Sequence, residues 1–121
     1  MVAFNFKEKF SADVGSGLKP GTIRQTQRCK AGDAVQLYTG QRTKNCRKLG
    51  DAICTGVAQI RITEECPWTI FHTEGDIKTS INGRRFHELE GFKNEKEFVD
   101  FFREHYGLPF EGYYHQWEMK G

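Results

Sequence analysis

The apolar positions of this 121-residue chain change their period several times, and each change predicts an element. Phe6, Phe10 and Val14 recur at i, i+4 and i+8, one face of a short first helix, and Gly15 and Gly17 are its stop signals. Lys19-Pro20-Gly21 reads as a turn or an extended connection, and Thr22-Ile23-Arg24 opens a strand. Ala31-Gly32-Asp33 is a turn into a strand over residues 34–39, with Val35 and Leu37 on one side. Residues 40–50 are polar and basic and read as a loop. A long strand follows over 53–62, where Gly56 marks a bulge. Pro67 precedes another strand over 68–72, and Asn82-Gly83 is a tight-turn signal. The clearest element is a helix over 95–106. Asn94 is its N-cap and Glu97 has the spacing of a capping box. Phe98, Phe101, Phe102 and Tyr106 share a face of it, and Gly107 and Pro109 end it. Residues 112–118 read as a closing strand. Several short strands with two helices predict a mixed α+β domain, and their number points to a small barrel.

Composition narrows the class. The length fits one domain over residues 1–121, and ten phenylalanines predict an aromatic-rich core. A hydrophobic share of 37% with 28% charged residues fits a globular chain rather than a disordered one. No stretch approaches the roughly 18 apolar residues of a membrane span, and the first residues lack the apolar run of an export signal. Membrane, secreted, collagen-like and coiled-coil readings are therefore disfavoured, and a cytoplasmic location is the expectation. Cys29, Cys46, Cys54 and Cys66 form no C-x-x-C pair and match no zinc spacing, and the four histidines form no H-x-x-x-H pair. Reduced thiols, no metal and no cofactor are expected, with Cys54 and Cys66 as structural residues.

Charge changes the picture further. The net charge is only +2, but the window from Lys19 to Lys48 holds eight basic residues and one acid, Asp33, a net +7 that leaves −5 elsewhere. Such asymmetry fits a phosphate-bearing partner, and it fits equally a solvated face balanced by acids elsewhere in the fold. In the first case Arg24, Arg28, Arg42, Lys44, Arg47 and Lys48 contact phosphates. Tyr38 or Trp68 then stacks on an unpaired base, although aromatics at strand positions more often belong to the core.

No G-x-S-x-G, P-loop or H-E-x-x-H motif is present. The segment that stands out is Lys19-Pro20-Gly21-Thr22-Ile23-Arg24. Pro20 restricts its own backbone and that of Lys19, and Gly21 permits close approach of a ligand. A desolvated lysine can accept the proton of a threonine hydroxyl and so make it a nucleophile. A surface lysine beside a strand threonine is the plainer alternative.

A set of ordered features carries a resemblance. They are Gly17-Leu18-Lys19, Thr22-Ile23-Arg24, Gly32-Asp33 before the strand 35–38, Glu90-Gly91-Phe92, the Phe101-Phe102 helix, and Leu108-Pro109-Phe110 on to Trp117. In order and spacing they resemble the ASCH domain, over nearly the whole chain, and in particular small ASCH proteins of phages and prophages. The resemblance implies a PUA-like β-barrel flanked by two or three helices, and RNA or a modified nucleoside as partner. Some small bacterial ASCH proteins are amidohydrolases that release acetate from N4-acetylcytidine with a Lys, a Thr and a Glu, and another is a ribonuclease. Carried over by position, these three residues fall on Lys19, Thr22 and Glu90. Pro20-Gly21, the basic segment 40–50 and Asn82-Gly83 depart from the amidohydrolase pattern.

The carried-over set predicts that Thr22 attacks an acyl carbonyl, with Lys19 as base and Glu90 as acid or water activator; separately, the planar fork of Arg24 suits it to orient the carboxylate or the substrate. For Glu90 the plainer alternative is a surface carboxylate near a helix start. The competing expectation for the whole chain is a non-catalytic RNA-binding module, or a ribonuclease variant of it, that uses residues 24–48.

Overall fold

A computed structural model of the chain describes residues 2–41, 43–66, 68–78, 80–81 and 84–120, so Arg42 and the Asn82-Gly83 turn lie outside the described residues. The chain runs β1 (Val2–Phe6), α1 (Glu8–Ser16), β2 (Gly21–Arg24), β3 (Ala34–Thr39), β4 (Arg47–Ile62), β5 (Thr69–Gly75), β6 (Ser80–Ile81), β7 (Arg84–Arg85), α2 (Phe86–Leu89), α3 (Glu95–Tyr106) and β8 (Phe110–Met119). Six strands form one strongly curled, half-barrel sheet in the order β1-β3-β4-β8-β2, with β5 also paired to β4. The β6 and β7 strands make a separate antiparallel pair. The fold is α+β, compatible with a small mixed barrel.

Strand β4 organises the sheet because it is long enough to serve three neighbours. Its first half pairs with β3, its second half with β5, and residues Ala52 to Ile62 pair with β8. The register slips at Cys54–Gly56, the bulge that Gly56 predicts, and again at Leu37–Tyr38 on β3. Before the slip Ala52 and Cys54 face one core, and after it Val57 joins them. Ala58, Ile60 and Ile62 face the other way into a second core. The first core gathers Phe4, Phe6, Val14, Val35, Leu37 and Trp117. The second sets Phe98, Val99 and Phe102 of α3 against β4, Phe110 and Tyr114.

Three sequence expectations need correction. Phe6 ends β1 and is not the first turn of α1. The i, i+4, i+8 spacing joins Phe6 and Val14 because strand and helix bury them in one core. The basic segment 40–50 is a loop only in its first part. Arg47 and Lys48 already pair with Thr39 and Tyr38, since strand pairing at a sheet end tolerates exposed basic side chains. Cys66 is exposed in a turn closed by Thr63, whereas Cys29 and Cys54 are buried; all four thiols are free. The predicted α3 has the bounds read from sequence, and the Asn94 side chain accepts a hydrogen bond from Glu97 N at 2.8 Å.

No backbone ladder joins β1 to β2 among the described residues. Side chains span the two edges instead. Arg24 Nη2 donates to Asn5 O at 3.0 Å and Arg28 Nη2 to Ala3 O at 3.2 Å, satisfying edge carbonyls of β1. Both guanidinium groups lie over the Phe4 ring, and Arg24 also over Phe6. Beneath them His115 on β8 is fully buried. Its Nε2 accepts from Arg28 N at 2.9 Å, and its Nδ1 lies 3.4 Å from Thr22 O. This arrangement requires a neutral ring with the proton on Nδ1.

Burial, with the nearby Arg24 and Arg28 charges, holds the His115 pKa at about 4 against the pull of the Thr22 carbonyl; its ordinary value is 6.5. The unfolded chain takes up this proton near pH 6.5 and the folded chain only near pH 4, so acid favours unfolding across that window. Folding stability should fall by about 3 kcal/mol between those limits from this group alone. Urea unfolding at pH 7, 5.5 and 4.5 measures it, and His115→Gln should flatten the slope. An unchanged slope in that variant would assign the loss to other groups.

Candidate functional site

The loop from α1 into β2 fixes Lys19 from both sides. Lys19 N donates to Asp13 O at 2.9 Å, using a carbonyl that α1 leaves free at its end, where Gly17 turns the chain in the left-handed conformation. Trp117 N donates to Pro20 O at 2.8 Å and extends the β2–β8 ladder by one bond. Gly21 is needed for protein packing rather than for a ligand: a Cβ there would sit 2.5 Å from Tyr114 Oη and 2.6 Å from His115 O. The segment is thus anchored to a helix end and a central strand, and its lysine is only 5% exposed.

Glu90 reaches the same place from the other side of the sequence. It follows α2, and Gly91 at φ 92° lets the chain turn, with Gly91 N donating to Glu88 O and Phe92 N to His87 O. Glu90 is therefore at the end of a helix and 4% exposed, not a surface carboxylate at a helix start. Its carboxylate forms a buried ion pair with Lys19 Nζ, which also lies 3.4 Å from Glu90 O. Two charges at this depth are stable only as partners.

Thr22 and Arg24 complete the polar set. They are two residues apart on β2 and so share a face. Arg24 Nη1 donates to Thr22 Oγ1 at 3.0 Å. Burial depresses the Arg24 pKa while the Glu90 charge opposes that shift, and the guanidinium remains the donor. Among the described residues, then, Lys19 is hydrogen-bonded to Glu90 and Thr22 to Arg24, with no hydrogen bond between Lys19 and Thr22.

These four residues line one cavity of about 300 Å³. Its walls are aromatic and come from both cores: Phe6 and Phe10 on one side, Phe92, Phe101, Phe102 and Tyr106 on the other. Phe92 and Phe101 lie 5.3 Å apart by ring centroids, and Phe101 and Phe102 5.4 Å apart. Tyr106 is 47% exposed, so the aromatic wall runs out to solvent. A flat unsaturated ring could slide between such faces and present polar edges to Lys19, Thr22, Arg24 and Glu90.

The other sequence candidates lie elsewhere. Arg28 bridges to β1 and does not line the cavity. Lys44 is exposed in the loop before β4 and does not line it either; Arg42 is outside the described residues. Arg47 pairs with Glu8 at 2.9 Å and Lys48 with Asp51 at 2.9 Å, so both have carboxylate partners. Tyr38 and Trp68 are half-buried and away from the cavity. Sequence reasoning missed the aromatic wall, although α3 carried its residues: Phe101, Phe102 and Tyr106 read as a core-facing stripe, and they also line the cavity. Asn5 and Lys7 gave no signal and Phe6 only a helical spacing, because they reach the site through the β1–β3 pairing and the Arg24–Asn5 hydrogen bond. Among the described residues there is no group of three metal-ligating side chains.

Comparison with protein-family models, curated proteins and solved structures finds no match to this chain. Among the described residues no helix is long and apolar enough to cross a membrane.

The buried pair makes a sharp stability prediction. Lys19→Met leaves the Glu90 charge unpaired and should cost about 3–5 kcal/mol, as should loss of the carboxylate partner in Glu90→Leu. The double variant Lys19→Met/Glu90→Leu should recover much of that loss, because neither charge remains buried. Chemical denaturation of the three proteins reads the coupling; purely additive losses would contradict an ion pair at this position.

Proposed function

We propose that the cavity binds the base of a modified nucleoside or of RNA and hydrolyses an N4-acylated cytidine, as the ASCH, PUA-like resemblance implies. The observation that carries this reading is the convergence of Lys19, Thr22, Arg24 and Glu90, drawn from distant parts of the chain, at the base of one aromatic-walled cavity. Fold resemblance alone would be a weaker argument, because one fold supports many chemistries.

The proposed chemistry uses these four residues, and it requires Lys19 Nζ to approach Thr22 Oγ1, with which it makes no hydrogen bond among the described residues. A proton passed from Lys19 Nζ to Glu90 within the pair leaves a neutral amine and a carboxylic acid. The amine, lining the same cavity, takes the Thr22 hydroxyl proton as Thr22 Oγ1 attacks the acyl carbonyl. Glu90 gives its proton to the exocyclic nitrogen as the C–N bond breaks, so cytidine leaves and the acyl group stays on Thr22. Lys19 is then an ammonium and Glu90 a carboxylate again. Water then attacks the ester as Glu90 takes its proton, and Glu90 passes that proton to Thr22 Oγ1 as the acyl C–O bond breaks, so the carboxylic acid leaves and the Thr22 hydroxyl and Glu90 carboxylate are restored. Arg24, by donating to Thr22 Oγ1, favours negative charge on that oxygen during attack. Its role is thus to activate the nucleophile, where the sequence suggested contact with carboxylate or substrate.

Chromatographic turnover of N4-acetylcytidine to cytidine tests the reading. Thr22→Ala should lower kcat by at least about 100-fold, and Thr22→Ser should keep most of it, because the serine retains the hydroxyl. Arg24→Gln should reduce kcat more than KM. A folded wild type that binds RNA and leaves N4-acetylcytidine intact would favour the non-catalytic RNA-binding module instead.

A further inference from the structure

We infer that the cavity takes its base with a phosphate attached, and that Lys7 reads that phosphate; this rests on the nucleoside-binding reading above. The first observation is charge. Three cations, Lys7, Lys19 and Arg24, line the cavity with one carboxylate, Glu90. An uncharged nucleoside would leave this excess of positive charge uncompensated between walls that screen poorly, whereas an anion relieves it.

The second observation is how those cations are used. Lys19 is held by Glu90, and Arg24 donates to Thr22 Oγ1 and Asn5 O. Lys7 alone of the three has no oxygen partner for its side chain among the described residues. Its ammonium lies 5.9 Å from the centroid of Phe101, one of the walls.

The third is position. Lys19, Thr22 and Glu90 are buried, whereas Lys7 is exposed. Lys7 is also common to this cavity and two adjoining open hollows, one beside Thr39, Thr43 and Asn45 and one along α3 that carries Lys9 and Lys96 with Glu97, Asp100 and Glu104. A base inserted with its acylated edge toward Thr22 would direct its sugar outward, and a phosphate on that sugar would meet Lys7. The open hollow beyond, lined by Asn5, Thr43, Asn45 and the Glu8–Arg47 ion pair, leaves room for a strand to continue. A free nucleotide and a nucleotide within RNA share this chemistry.

The test compares N4-acetylcytidine, its 5′-monophosphate and a short single-stranded RNA carrying the same base, by equilibrium binding and by turnover. Lys7 occupies the N-cap of α1 without a side-chain cap bond, so Lys7→Met should fold. In the wild type the monophosphate should bind about 10-fold more tightly than the nucleoside at low salt, the size of one charge-assisted contact, and lose that margin at high salt. Lys7→Met should bring the ratio close to one, and Lys7→Arg should restore it. A margin confined to the RNA and lost in Lys7→Met would place the phosphate in a strand and also support the inference. Equal handling of nucleoside and monophosphate, with no gain for the RNA, would overturn it while leaving the nucleoside reading intact. A ratio unaffected by Lys7→Met would overturn the role of Lys7. No binding of any of the three would overturn both readings.

Discussion

Among the described residues two sheet edges face each other across a gap that no backbone ladder fills, and the guanidinium groups of Arg24 and Arg28 cross it to the β1 carbonyls of Asn5 and Ala3. Unpaired edge carbonyls next to a packed core would be costly, and a planar group with several donors can satisfy them while its face rests on Phe4 and Phe6. Two basic residues of the +7 window are thereby turned onto the fold. The closure also requires His115 to be neutral, since its ring accepts from the Arg28 backbone.

The same closure builds the cavity. Arg24 reaches Asn5 with one nitrogen and Thr22 with the other, so the group that joins the edges also polarises the hydroxyl beside them. Lys19 precedes β2 and is tied to the end of α1, which brings its ammonium to Glu90 at the end of α2. A buried ion pair is a poor means of gaining stability, because desolvation offsets most of its attraction. This pair lines an aromatic-walled cavity together with Thr22 and Arg24, and the proposed function rests on that placement.

Legibility in the sequence followed the range of the interactions. Helix α3 was readable to its ends because Asn94, the aromatic stripe and Gly107 all act within a few residues. Strand β3 and the bulge at Gly56 were readable for the same reason. Strand β1 was not, because its first residues are few and Phe6 fits a helical spacing equally well; only its parallel pairing to β3 decides the matter. The start of β4 at Arg47 was hidden by polar side chains that strand pairing with Thr39 tolerates at an exposed sheet end.

For the site, the residue types of Lys19, Thr22, Arg24 and Glu90 and their order were visible, since side-chain chemistry is a local property. Nothing local says that Lys19 is buried against a carboxylate 71 positions away, or that Arg24 turns to Thr22 and Asn5 while Arg28 turns to Ala3. The sequence by itself determined the α+β class, the long helix, the aromatic core and the set of groups able to do chemistry. Only the tertiary structure decided which charges are paired, which aromatics form a wall and which lysine of the cavity is exposed. Those outcomes depend on sheet closure and on the exclusion of water, and both arise when distant segments meet.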